Sequence, residues 1–167
     1  MKLVASILSQ QLSIIVAKVM LKRFLALFGG KEPSAAQILA IPVETIKAIG
    51  ISQNKANYIH NVAQFVFDHK LTDKKLDKMP DEDIIDTLIQ IKGVGRWTVE
   101  MLLIFGLARE DVFALDDLGV QKGVQKMYKL EHLKGKELKA KMLEVSQRWS
   151  PYRSYACLYL WNFQGWE

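Results

Sequence analysis

The stretch Leu88-Ile89-Gln90-Ile91-Lys92-Gly93-Val94-Gly95-Arg96-Trp97 decides how the 167-residue chain is read. It sets two glycines between two segments of helical character, in a connection about four residues long. Glycine permits positive φ and removes the Cβ that would block an anion. The first amides of the helix that follows point outward without intrahelical partners. A corner of this kind grips a phosphate through Gly93, Gly95 and Thr98 without reading bases. The carbonyls of Ile89, Ile91 and Gly93, at the end of the first helix, are expected to share a monovalent cation that bridges to the phosphate. Taken alone, Gly-x-Gly between helices is more often an ordinary corner with a glycine C-cap.

Outward from the corner, Pro80 and the acids Asp81, Glu82 and Asp83 suit the start of a helix over residues 80 to 91. Residues 96 to 107 are apolar nearly all round, which predicts a central buried helix. Apolar residues recur at spacings of three and four almost throughout, so the chain reads as all-α and as a single domain over 1–167, with the hairpin at about 80–107. Residues 2 to 28 read as one long helix stopped by Gly29 and Gly30. Short helices follow at 34 to 40 and after Pro42. Ser52 caps a helix whose apolar stripe is Ala56, Ile59, Ala63 and Phe67. Further helices are expected at 118 to 129 and 136 to 149, and a last one is started by Ser150-Pro151 and runs to about Phe163.

Half the residues are apolar, enough for one continuous core. The apolar runs are too short to span a bilayer and no secretory signal opens the chain, so a soluble intracellular protein without a membrane partner is expected. The lone Cys157 excludes an internal disulfide, a four-cysteine zinc site and a cysteine-held iron–sulfur cluster. A net charge of +5 is compatible with an acidic partner, but the lysines of 70–78 alternate with Asp73 and Asp77 and read as solvated surface. His60, His69 and His132 lack metal-ligand spacing.

IKGVGRWT at 91–98 and DVFALDDLG at 111–119, together with SILSQQLS at 6–13 and RWSPYRSYACLYLW at 148–161, resemble the helix-hairpin-helix DNA glycosylases, specifically the 3-methyladenine DNA glycosylase II family. The four blocks occur in the family's order and cover essentially the whole chain. The resemblance implies two helical lobes flanking a DNA-binding cleft. It implies base excision repair by a monofunctional enzyme that hydrolyses the N-glycosidic bond of flipped alkylated purines in duplex DNA, as a monomer and without an organic cofactor. Family members usually carry a further helix ahead of the segment that opens here at Met1. The prolines usual before the paired acids are replaced by Ala114 and Leu115.

Asp116 and Asp117 precede a helix, where aspartate is a preferred N-cap and capping is the simpler reading of the residues alone; it is the resemblance that implies a catalytic role for Asp117. A carboxylate there would stabilise the cationic sugar that forms as the bond breaks. Trp97 stands where bifunctional relatives carry a lysine nucleophile, so strand cleavage is not expected. Trp97, Met101 and Trp161 are expected to line the base pocket, where aromatic faces favour a cationic base, although each is also an ordinary core residue type. Gln11 aligns with the wedge that fills the gap left by a flipped base. Gln10 or Gln11 alone reads equally as a solvent-facing amide. A glycosylase for deaminated or oxidised bases, and a noncatalytic DNA-binding protein that keeps the hairpin, are the competing readings.

Overall fold

The computed structural model describes residues 2–10 and 12–163; Gln11, the expected wedge, lies outside the described residues. Described residues form helices and connecting turns with no strand among them. Two compact units follow one another along the chain, the first ending at Leu102 and the second starting at Leu103.

In the first unit the expected helix over 2 to 28 is two helices, α1 (Lys2–Ser9) and α2 (Ile14–Ala26). The break has a local cause. Lys55 Nζ donates to the carbonyls of Leu8 and Gln10 at 3.1 and 2.6 Å, and Ser13 turns to extended backbone and caps α2 through the Val16 amide. Burial lowers the pKa of that lysine. α3 (Ala35–Leu39), started by a capping box at Ser34, and α4 (Val43–Lys47) both pack on α5 (Gln53–Asp68). The buried stripe of α5 is Ala56, Ile59, Val62 and Ala63, whereas Phe67 is 56% exposed because the last turn of α5 runs past the core. A single turn, α6 (Asp73–Leu76), crosses the lysine-rich stretch and buries only Leu76.

α7 (Asp81–Leu88) and α8 (Arg96–Met101) are the arms of the hairpin and pack on each other, with α1 against α8. The predicted helix over 96 to 107 is α-helical only to Met101. Leu102–Gly106 widens into a π-helical turn in which Leu102, Leu103 and Ile104 stay buried and Phe105 is 63% exposed.

The second unit holds α9 (Leu118–Tyr128), α10 (Gly135–Ser146) and α11 (Arg153–Phe163), with α9 against α11 over a core that includes Val120, Val124, Met142, Cys157 and Leu160. Residues 147–149 tighten into a 3₁₀ turn. Ser150-Pro151 is a cis peptide, and the last helix begins at Arg153 and not at the expected proline. Its first turn is held by Asp111, which accepts from the Arg153 amide at 3.3 Å, from Arg153 Nε and Nη2 at 2.6 and 2.9 Å, and from Ser150 Oγ at 2.9 Å.

Candidate DNA-binding hairpin and catalytic carboxylate

The hairpin is built on its glycines, but in two different ways. α7 stops at Leu88, three residues earlier than predicted, so residues 89–95 make the connection. Within it the Ile91 amide donates to Leu88 and the Val94 amide to Ile91, with Ile91 and Val94 both buried. Gly93 has φ +100°, and a Cβ on it would stand 2.1 Å from the ring of Tyr58. Asn61 Nδ2 donates to the Lys92 carbonyl at 3.0 Å, so α5 braces the turn from behind. Gly95 has φ −101° and ψ 170°, extended backbone open to any residue, and a Cβ on it would meet nothing. The positive φ expected of the corner therefore belongs to Gly93 alone. The Gly95 carbonyl accepts the amides of Thr98 and Val99, which closes the first turn of α8.

Thr98 does not lie on the exposed side of the hairpin. It is 2% exposed and its Oγ1 accepts from Gln10 Nε2 at 2.9 Å, so it ties the end of α1 to α8. Nor are the three carbonyls proposed for a cation all unpaired. That of Ile91 accepts the Val94 amide, and that of Gly93 lies 3.5 Å from Gln10 Nε2. Arg96 closes the base of the hairpin, reaching Glu82 at 2.8 Å and Glu100 at 3.2 Å.

In the second unit the segment leading to the paired acids is pinned along α11. The Ser154 hydroxyl accepts from the Val112 amide at 3.0 Å and donates to the Arg109 carbonyl at 2.6 Å, and the Ser154 amide donates to the Glu110 carbonyl. With no proline before the acids, the loop is shaped by hydrogen bonds: Leu115 N to Phe113 O, Asp117 N to Ala114 O, and Gln121 Nε2 to Leu115 O. Asp117 is the N-cap of α9, with Oδ1 accepting from the Val120 amide at 2.8 Å. The same oxygen accepts from Trp161 Nε1 at 2.7 Å. Asp116 is exposed and pairs with Lys139.

Residues 4–148 match the model of the HhH-GPD superfamily base excision DNA repair proteins. The chain belongs to that superfamily. It is 33% identical over 163 residues to DNA-3-methyladenine glycosylase 1 of Schizosaccharomyces pombe, covering 96% of this chain and 70% of that protein. With the Bacillus subtilis protein YfjP it shares 34% identity over 162 residues, covering 93% of this chain and only 55% of the relative's length. The solved S. pombe 3-methyladenine DNA glycosylase in complex with abasic DNA superposes with a TM-score of 0.87 at 33% identity, covering 96% of this chain and 77% of that one. A Bacillus halodurans DNA-3-methyladenine glycosidase gives a TM-score of 0.81 at 35% identity, covering 98% and 74%.

Against this helix-hairpin-helix frame the sequence-predicted residues separate by unit. Trp97, half-buried, and Met101, 7% exposed, lie one turn apart on α8 in the first unit. Asp117 and Trp161 are brought into direct contact in the second. Sequence reasoning missed Phe105, whose ring stacks on Trp161 with centroids 5.5 Å apart and planes 25° apart. An unbroken apolar run gave no hint that its helix widens and turns Phe105 outward. Gly119 was also missed: a Cβ there would lie 2.6 Å from Trp161 Cδ1 and 3.0 Å from both Asp117 Oδ1 and Trp161 Nε1.

Proposed function

We propose that this protein is a monofunctional DNA glycosylase that removes alkylated purines of the 3-methyladenine and 7-methylguanine type from duplex DNA, acting as a monomer inside the cell. The observation that carries the reading is the Asp117 carboxylate. It is fixed by two N–H donors at the positive end of α9 and shares the second unit with the exposed aromatic ring of Phe105. As the C1′–N bond of an extruded nucleotide breaks, its electron pair leaves with the base and positive charge gathers on the sugar. A fixed anion lowers that barrier, and water then adds to C1′ and releases a proton. A base that already carries positive charge is a good leaving group and needs few directed hydrogen bonds.

The hairpin supplies the grip on the backbone. Gly95 lacks a side chain although neither its dihedrals nor its neighbours require this, which is the pattern expected where another molecule's backbone approaches. A monovalent cation held by the carbonyls of Ile89, Ile91 and Gly93 would add positive charge toward phosphate, and the negative end of α7 suits such an ion.

The test is release of free bases from alkylated duplex DNA, resolved by chromatography. Wild type is expected to release 3-methyladenine and 7-methylguanine. Asp117→Asn keeps a good N-cap but removes the charge, and is expected to fall by at least about 10²-fold, about 2.7 kcal/mol, with duplex affinity nearly intact. Asp116→Asn is expected to do less. Equal and small effects of the two substitutions would reduce the pair to helix caps.

A further inference from the structure

Resting on the assignment of Asp117 as the catalytic carboxylate, we infer that Trp161 serves as its positioning residue, through an indole N–H hydrogen bond that Gly119 makes room for. Three observations converge. Trp161 Nε1 donates to Asp117 Oδ1 at 2.7 Å, a charge-assisted bond on the oxygen that also caps α9. With two donors on one oxygen, the carboxylate plane is set by the protein before substrate arrives. Phe105 stacks on the indole at 5.5 Å, and Trp161 is half-buried, so the ring is held in register. Gly119 lies outside the left-handed region, so its lack of a side chain is not a backbone requirement. What it permits is contact: any Cβ there would collide with the indole edge that reaches Asp117.

This differs from a wall that only stacks on the base. A stacking ring gains most from a cationic lesion, whereas a ring that orients the carboxylate serves every lesion alike, because each passes through the same sugar cation. It also differs from simple packing, since the effect passes through one N–H.

The experiment combines kinetics with spectroscopy on the intact chain. Trp161→Phe keeps an aromatic ring and loses the N–H. Its single-turnover excision rate is expected to fall about 10-fold or more, with the enzyme concentration for half-maximal rate changed less than about 2-fold, and equally for 7-methylguanine and for hypoxanthine wherever wild type removes both. The chain's four tryptophans give four indole N–H signals in a ¹H–¹⁵N spectrum. The one lost in Trp161→Phe is expected to lie downfield in wild type and to move upfield in Asp117→Asn. Gly119→Ala retains the N–H but displaces it, and is expected to shift the same signal and slow excision similarly, which keeps the test decisive if Trp161→Phe does not fold. An indole signal unmoved by Asp117→Asn, or a loss confined to the charged lesion, overturns the inference. A fully active Trp161→Phe beside an inactive Asp117→Asn overturns it alone. A fully active Asp117→Asn overturns the catalytic reading and this one with it.

Discussion

Gly93 and Gly95 are separated by one valine and lack side chains for opposite reasons. Gly93 is needed by the fold: with φ at +100° and the Tyr58 ring 2.1 Å from where a Cβ would sit, no other residue has a place there. Gly93→Ala is therefore expected to cost on the order of 3 kcal/mol in urea unfolding, combining backbone strain with overpacking. Gly95 is not needed by the fold. Gly95→Asp is expected to keep stability close to wild type while weakening binding to all duplex sequences alike, because it places bulk and negative charge at the proposed anion site. Fluorescence anisotropy at fixed salt checks this, and unchanged affinity in a folded variant would remove the hairpin from the DNA interface. At the same scale, the cap that Asp117 provides is compatible with the catalytic role proposed for it. One carboxylate oxygen caps α9 and receives Trp161, and the cap is part of what holds the charge in place.

At the scale of the element, α11 depends on an acid outside itself. The Arg153 guanidinium beside Asp111, helped by Ser150, holds that carboxyl well below the usual carboxylate range, at about 2. A depressed folded-state pKa contributes stability that is present above the unfolded value and lost as pH falls through the folded one, here from about 4 down to about 2. Both side chains are about a third exposed, at 32% and 31%, so solvent screening limits the contribution to about 1–2 kcal/mol. Urea unfolding at pH 6 is expected to show wild type more stable than Asp111→Asn by that amount, with the gap closing as pH drops below about 4. A gap that stays constant with pH would mean that the bracket contributes by packing alone. The partners of this bracket sit about 42 positions apart in the chain, so no helix-start rule applied to Ser150-Pro151 would find it.

For the whole molecule, net charge and the identity of residue 97 each carry a prediction. With a net charge of +5, and if the hairpin grips phosphate as proposed, duplex affinity should fall steeply and log-linearly with salt. A flat salt dependence would argue that the DNA backbone is not what is bound. With an indole at position 97, the product should be an abasic site in an intact strand, and borohydride should trap no protein–DNA adduct. A trapped adduct would identify a lysine nucleophile elsewhere and overturn the monofunctional assignment. No helix among the described residues is long and apolar enough to cross a membrane.

The all-helical class, the position of the hairpin and the paired acids before α9 were legible in the sequence because each depends on local rules: apolar spacing, glycine between helices, aspartate at an N-cap. The break between α1 and α2 was not legible, because the lysine that caps the carbonyls of Leu8 and Gln10 comes from α5, more than forty positions away. Thr98 was expected among the DNA-backbone residues, and nothing in the sequence showed that the packing of α1 on α8 buries it against Gln10. The sequence contained both Trp161 and Asp117 and the resemblance gave each a role. Only tertiary structure brought the indole N–H 2.7 Å from the carboxylate, since a hydrogen bond spanning 44 positions leaves no periodic trace along the chain.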